Sequence, residues 1–280
     1  MLTPLWPYPA AFLKTDGVKT LVIADLHIGW EIALSEKGIH IPTQAPKILQ
    51  RIKSLTAKYN PERLLILGDV KHTVAKAEIS EWQDIPEFFN ELKPLFKEIQ
   101  IIRGNHDGNL EPLLPESVKI LPSTGTVMGD VGFFHGHQWP SPILLKCKTI
   151  VMGHVHPVVT FRDPAGFRTT RQVWVRMDCD KNQLAQFILQ KHKVKIDKSP
   201  GETLLKHYRV NLRVSQLFIM PSFNEFLGGK PLNEGSRGEK PRERVVGPIL
   251  RVCQDELEKA EAYFLDGTFL GRLSQLKALS

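Results

Sequence analysis

The chain has 280 residues, 42% apolar and 24% charged, an ordinary balance for a folded globular protein and one that argues against disorder. Three dispersed cysteines, Cys147, Cys179 and Cys253, argue against a thiolate zinc site or a disulfide framework. With no signal-peptide core and no run of the ~20 apolar residues needed to cross a bilayer, a cytoplasmic protein without a membrane segment is expected. The net charge is +7, and the segment from Lys181 to Ser215 alone carries eight basic and two acidic residues, so the rest of the chain is close to neutral.

In chain order, Thr20–Ala24 is a short apolar run with β-branched residues that stops at Asp25. Pro42 to Lys58 follows with apolar residues at Ala45, Ile48, Leu49, Ile52 and Leu55, which is helix spacing. Arg63–Leu67 is a second strand, ending at Gly68-Asp69. Glu78 to Leu92 repeats the helical pattern through Ile79, Trp82, Ile85, Phe88, Phe89 and Leu92, with Pro86 expected to bend it. Glu98–Ile102 is a third strand, ending at Arg103-Gly104-Asn105. Thr126 to His135 reads as a hairpin turning at Gly129-Asp130, and Thr149–Met152 as a strand ending at Gly153-His154. Arg168 to Met177 is strand-like after the turn Asp163-Pro164-Ala165-Gly166. Gln183 to Ile196 fits helix or strand equally. Gly228 to Arg244, rich in glycine and charge, reads as a loop. Ala262–Asp266 and Phe269–Leu273 read as a hairpin around Asp266-Gly267. Strands alternating with helices imply a largely parallel sheet, with ligands beyond the carboxyl ends of its strands.

Five polar clusters fall at such ends: Asp25-Leu26-His27, Gly68-Asp69-Val70-Lys71-His72, Gly104-Asn105-His106-Asp107, His135-Gly136-His137 and Gly153-His154-Val155-His156. Seven of the ten histidines lie inside them. Any one cluster alone reads as a turn or a structural pair. Five together would be costly to bury without partners, and metal ions satisfy them all. Imidazole, carboxylate and carboxamide without thiolate suit Mn²⁺, Fe or Zn²⁺. Two carboxylates against two dications leave a net charge of about +2, which attracts an anion such as a phosphate ester.

In this order, the five segments resemble the calcineurin-like binuclear metallophosphoesterases over roughly residues 20–160. The resemblance implies a four-layer α/β/β/α sandwich, two facing sheets flanked by helices, and two divalent ions, Mn²⁺ first, with Fe, Zn or Ni as alternatives. It implies a first metal on Asp25, His27, Asp69 and His156, a second on Asp69, Asn105, His135 and His154, and a catalytic His106 at the leaving group. Two metals ~3.5–4 Å apart would acidify a shared water for in-line attack at phosphorus. Many phosphatases of the family carry Asp three residues after the bridging Asp. Here that residue is His72, and the Gly-Asp-x-x-His form resembles the DNA-repair nuclease branch. His72 is accordingly expected to contact substrate phosphate or pair with His106, with a structural role as the alternative. His137 is expected to orient His135 or its loop, Arg103 to form a structural ion pair, Asp107 to cap the following helical turn, and Trp139 beside Pro140 to wall the site. A fainter resemblance, through Met220-Pro221-Ser222-Phe223-Asn224, Gly228-Gly229 and Leu265-Asp266-Gly267-Thr268, links the C-terminal third to archaeal SbcD-related phosphoesterases.

A single domain over residues 1–280 is therefore expected. Residues 20–180 would hold the metal-site core, and 181–280 the completing strands with a basic insertion at 181–215. The leading expectation is a phosphodiesterase acting on nucleic acid or a nucleotide, with DNA or RNA contacting that insertion and a repair helicase or other DNA-processing factor as partner. A phosphomonoesterase or small-nucleotide hydrolase is the second reading. The third is a nucleic-acid-binding or scaffold protein whose metal site is structural.

Overall fold

The computed structural model describes residues 2–74, 77–234 and 247–279. Its first sheet has six strands in the order β1-β2-β3-β4-β5-β6: β1 (Leu2–Pro4), β2 (Ala11–Thr15), β3 (Val18–Ile23), β4 (Arg63–Ile66), β5 (Glu98–Ile102) and β6 (Val118–Leu121). Strands β3 to β6 run parallel, while β1 and β2 add an antiparallel edge. The apolar run at Thr20 supplies β3, and its alternation decides which face each side chain meets. Leu21 and Ile23 turn outward to α2 (Ala45–Tyr59) and α3 (Ile79–Leu92). They join Ile48, Ile52, Leu55, Ile85, Phe88 and Phe89 in one core. A short α1 (Ile32–Ser35) precedes these two helices. Val22 turns the other way, into a second core with Leu65, Leu67, Ile102, Phe133, Val151 and Trp174.

The second sheet supplies the partners in that central core. It contains β7 (Thr126–Met128), β8 (Val131–Phe134), β9 (Thr149–Met152), β10 (Val158–Arg162), β11 (Arg168–Asp178), β12 (Gln216–Ile219), β13 (Glu261–Phe264) and β14 (Phe269–Arg272). The order is β14-β13-β11-β12-β9-β8-β7, with β10 hydrogen-bonded to β11. Strands β8, β9 and β12 are parallel, and the others join antiparallel. The outer face, including Ile150, Met152, Val175, Leu217 and Ile219, meets α4 (Lys181–Lys191), α5 (Pro200–Tyr208) and α6 (Pro248–Val252). Three stacked apolar cores thus separate four layers, the α/β/β/α sandwich expected from the sequence.

The structure differs from the sequence expectations at several places. Strands β1, β2, β6, β10 and β12 and helix α5 are additions to the expected elements, being short or broken by charge. Helix α3 runs through Pro86. Its first turn exposes Ile79 and Trp82 and buries Glu81, because that carboxylate has buried donors to satisfy. Of the ambiguous stretch from Gln183 to Ile196, the part up to Lys191 is helix: Asp180 accepts from the Asn182 and Gln183 N–H groups, and Leu184, Ala185, Ile188 and Leu189 form a buried stripe. The segment read as a basic insertion therefore contains two helices of the outer layer, with its charges on their solvent side. Of the expected loop from Gly228 to Arg244, the part beyond Glu234 lies outside the described residues. No helix among the described residues is long and apolar enough to cross a membrane.

Candidate metal centre

The polar clusters follow β3, β4 and β5 of one sheet and β8 and β9 of the other, so both sheets deliver side chains to one end of the sandwich. The chain must turn sharply there. Asp25, His27, Asp69, His154 and His156 all adopt positive φ, between 44° and 70°, a left-handed conformation that costs non-glycine residues free energy. Close approach is enforced by glycine: a Cβ on Gly104 would lie 2.2 Å from Asp69 Oδ1. One on Gly229 would lie 1.8 Å from the His156 carbonyl oxygen.

Two groups of ligand-type atoms converge. Asp25, His27, Asp69 and His156 form one, and Asp69, His135 and His154 form the other, with all such atoms in a group within 4.8 Å of one another. Asp69 belongs to both. Its Oδ2 lies 3.4 Å from His27 Nε2 and 3.3 Å from His135 Nε2. His156 Nε2 lies 3.5 Å from Asp25 Oδ1. Asn105 Oδ1 sits 3.1 Å from His135 Nε2, which adds the carboxamide to the second group. A third group, His27, His72 and His106, stands beside the first. Every residue named from the sequence as a candidate metal ligand or catalytic group is thus in this one locus.

The donor set fits divalent cations. The buried Nε2 atoms of His27 and His156 have no hydrogen-bond partner, an arrangement that costs free energy unless a cation occupies the lone pairs. His135 Nδ1 lies 2.6 Å from the Leu67 carbonyl, which can only accept, so Nδ1 carries the hydrogen and Nε2 presents its lone pair. His106 Nδ1 likewise meets the His72 carbonyl and leaves its Nε2 for another partner. His72 Nδ1 is 3.3 Å from His27 Nδ1.

The electrostatics follow from burial and pairing. Burial alone would raise the Asp25 carboxyl, but His156 and His135 outweigh it and hold it below the usual range. The same competition at Asp69 is won by His135 and His27. Burial pushes His27 down to about 3 and His154 to about 4. Burial would also lower His135, yet Asp69 and Asp25 overcome it and push that imidazole up to about 9, with a proton on Nε2 that a bound cation would displace. Burial, then the neighbouring His106, lowers His72.

Several residues that position the site carried weaker sequence signals. Asp107 is not a helix cap. Its buried carboxylate accepts from the backbone N–H groups of Asp69 at 2.9 Å, Val70 at 2.8 Å and Gly104 at 2.8 Å, and so ties the loop after β4 to the loop after β5. Glu81 Oε1 accepts from the N–H groups of His72 and Thr73, at 3.0 and 2.8 Å, and fixes the His72 loop. The spacing Glu78-x-x-Glu81 at a helix start was the available clue. Lys71 is fully buried, with its ammonium on the Thr73 carbonyl. From the C-terminal third, Ser222 Oγ donates to the Asp25 carbonyl at 2.9 Å and Asn224 Nδ2 to the Leu26 carbonyl at 3.0 Å, so this segment braces the first metal loop. Arg103 pairs with Glu111, the structural ion pair expected. His137 stands 5.3 Å from His135 and 6.0 Å from His154, ring centre to ring centre.

Among solved structures, the nuclease MPE of Pseudomonas putida matches with 18% identity and a TM-score of 0.48, over 92% of this chain and 97% of its own. The phosphoesterase Yfce from E. coli matches with 19% identity and a TM-score of 0.31, over 51% of this chain and 73% of its own. A protein of unknown function from Aquifex aeolicus, AQ665, matches with 19% identity and a TM-score of 0.34, over 49% and 78%. No curated protein matches the sequence. The family model for calcineurin-like phosphoesterases matches residues 18–196, the span that contributes every converging side chain described above, and the chain belongs to that family.

Proposed function

We propose that this chain is a phosphodiesterase acting on nucleic acid or nucleotides, of the kind its resemblance to archaeal SbcD-related phosphoesterases suggests. The observation that carries the reading is Asp69 shared between two carboxylate–imidazole groups, with two further imidazoles, His72 and His106, alongside. The first ion would be held by Asp25, His27, Asp69 and His156, and the second by Asp69, Asn105, His135 and His154, with Mn²⁺ the proposed metal. When bound, the two ions supply charge neutralisation for a phosphate ester and acidify water for in-line attack.

The chain's own groups do the rest. Among the described residues Asp69 is the carboxylate common to both groups, its Oδ2 facing His27 on one side and His135 on the other. The Asp69 Oδ1 also accepts from the His106 N–H at 2.9 Å, which ties the proposed proton donor to the shared carboxylate. With Nδ1–H committed to the His72 carbonyl, His106 offers Nε2 to the leaving oxygen. His72 supplies an imidazole where many phosphatases of the family have a carboxylate. It therefore adds no negative charge beside a phosphate ester.

The test is Mn²⁺-dependent hydrolysis of an aryl phosphodiester against the matching monoester. Diester turnover should dominate, and Asp69→Asn and His106→Ala should each lower it by at least about a hundredfold. Monoester turnover alone would replace this reading with a phosphatase. No turnover with Mn²⁺, Zn²⁺, Fe²⁺ or Ni²⁺ despite two bound ions would favour a structural site.

A further inference from the structure

A cavity of about 570 Å³ opens directly off the second group of ligands, at His154. Among its lining residues are His137, Trp139, His154, Lys191, His192 and Arg251. It lies between the loop after β8, which brings His137 and Trp139, the C-terminal end of α4, which brings Lys191 and His192, and α6, which brings Pro248 and Arg251. Its size falls in the range of small-ligand sites, roughly 300–1,000 Å³. Its described lining combines an indole, two imidazoles besides His154, an ammonium and a guanidinium, with no carboxylate among the described lining residues.

Three observations favour an occupant that combines an aromatic ring with negative charge. Trp139 is half-buried against the core and lines the cavity, so its ring is held in place at the cavity wall. Lys191 lines the cavity from the last turn of α4, and its side chain is exposed. His137 Nδ1 is buried without a hydrogen-bond partner at the wall between cavity and metal centre.

We propose that this cavity receives the nucleoside adjoining the scissile phosphate of a single nucleic-acid strand, with Trp139 stacking on the base and Lys191 facing the next phosphate. This rests on the phosphodiesterase reading above and gives it a substrate class. It also narrows the part played by the basic segment: only the end of α4 reaches the site, and the remaining lysines from Lys193 to Lys206 lie outside the cavity lining. Base stacking on an aromatic side chain is sequence-tolerant and worth about 1–3 kcal/mol per base, so recognition would be of a strand and not of a sequence.

The experiment has two arms, both on the full chain. In the first, Mn²⁺-dependent kcat/KM is measured for bis(p-nitrophenyl) phosphate, which carries no nucleoside, and for thymidine 5′-(p-nitrophenyl phosphate), which does. Trp139→Ala should reduce the preference for the nucleoside-bearing ester by at least about tenfold, and Trp139→Phe should restore most of it. In the second, fluorescent oligothymidylate is bound at equilibrium with Ca²⁺ in place of Mn²⁺. Lys191→Glu, a surface change that leaves the core intact, should weaken binding by at least about tenfold, whereas the same charge reversal at Lys58, on the outer helix of the other sheet, should have a much smaller effect. An unchanged substrate preference in Trp139→Ala together with unchanged binding in Lys191→Glu would overturn the proposal, as would equal losses for Lys191→Glu and Lys58→Glu. If the parent protein hydrolyses neither diester, the phosphodiesterase reading fails, and the binding arm still decides whether the cavity takes a strand.

Discussion

At the residue scale, the ligand-type side chains were legible because each sits where an apolar run stops, and the residues that hold them were not. Asp25, His27, Asp69, His135, His154 and His156 announce themselves as polar groups with no local reason to be there. Asp107 does not, because an Asp after a glycine turn has an ordinary explanation as a cap. Its real task is long-range: it satisfies three backbone N–H groups drawn from two loops that are 37 and 38 residues apart in the chain at the contact with Val70 and Asp69. Burial and the nearby Asp69 raise its pKa, while those N–H groups pull the other way. Asp107→Ala would leave three buried donors without an acceptor, and chemical denaturation should register a loss of at least about 3 kcal/mol. A loss under about 1 kcal/mol would show that solvent or a neighbour replaces the carboxylate.

At the scale of elements, the parallel strands β3, β4 and β9 could be read because they are buried on both faces and so appear as unbroken apolar runs, whereas the central β12 is only half-buried at alternate positions. The edge strands could not. β6 alternates Val118 and Ile120 with Lys119, and a single charged residue in so short a strand hides its pattern. That lysine has a partner: Glu98 on β5 accepts from Lys119 on β6 at 2.8 Å and from Arg63 on β4 at 2.7 Å, which laces three adjacent strands. The Lys119 contact, with further help from Arg63 and Gln100, brings the Glu98 carboxyl from 4.5 down to about 2. A depressed carboxylate stabilises the fold above its unfolded pKa, and this contribution disappears as pH falls through the folded value. Glu98→Gln should therefore cost about 1 kcal/mol at neutral pH, the modest size reflecting solvent screening of a partly exposed network. The difference from the parent should close between pH 4.5 and about 2, as followed by urea melts across that range. A gap that stays constant with pH would mean the carboxylate's charge is not what links the strands.

At the scale of the whole molecule, the site is a seam. One sheet contributes Asp25, His27, Asp69, Asn105 and His106, and the other His135, His154 and His156, so cations held there would cross-link the two halves of the sandwich. The sequence conveyed that such a locus exists, since its segments all follow strands. It also conveyed β11 and the β13–β14 hairpin as completing strands, but not β10, β12 or α5, which are short or carry charge that obscures the apolar pattern. Ions that bind only the folded state stabilise it by RT ln(1 + [L]/Kd), so at a hundredfold excess over Kd the gain is about 2.7 kcal/mol per ion. Stripping metal with a chelator should lower Tm by several degrees, and restoring Mn²⁺ should recover it. An unchanged Tm would show that the two sheets hold together without the centre.

The most direct test of a binuclear centre on a shared carboxylate is Mn²⁺ titration of the metal-free protein followed by electron paramagnetic resonance. The expected result is two ions per chain with an exchange-coupled spectrum, and loss of that coupling in Asp69→Asn. A single ion, or two ions whose spectra remain those of isolated Mn²⁺, would contradict it.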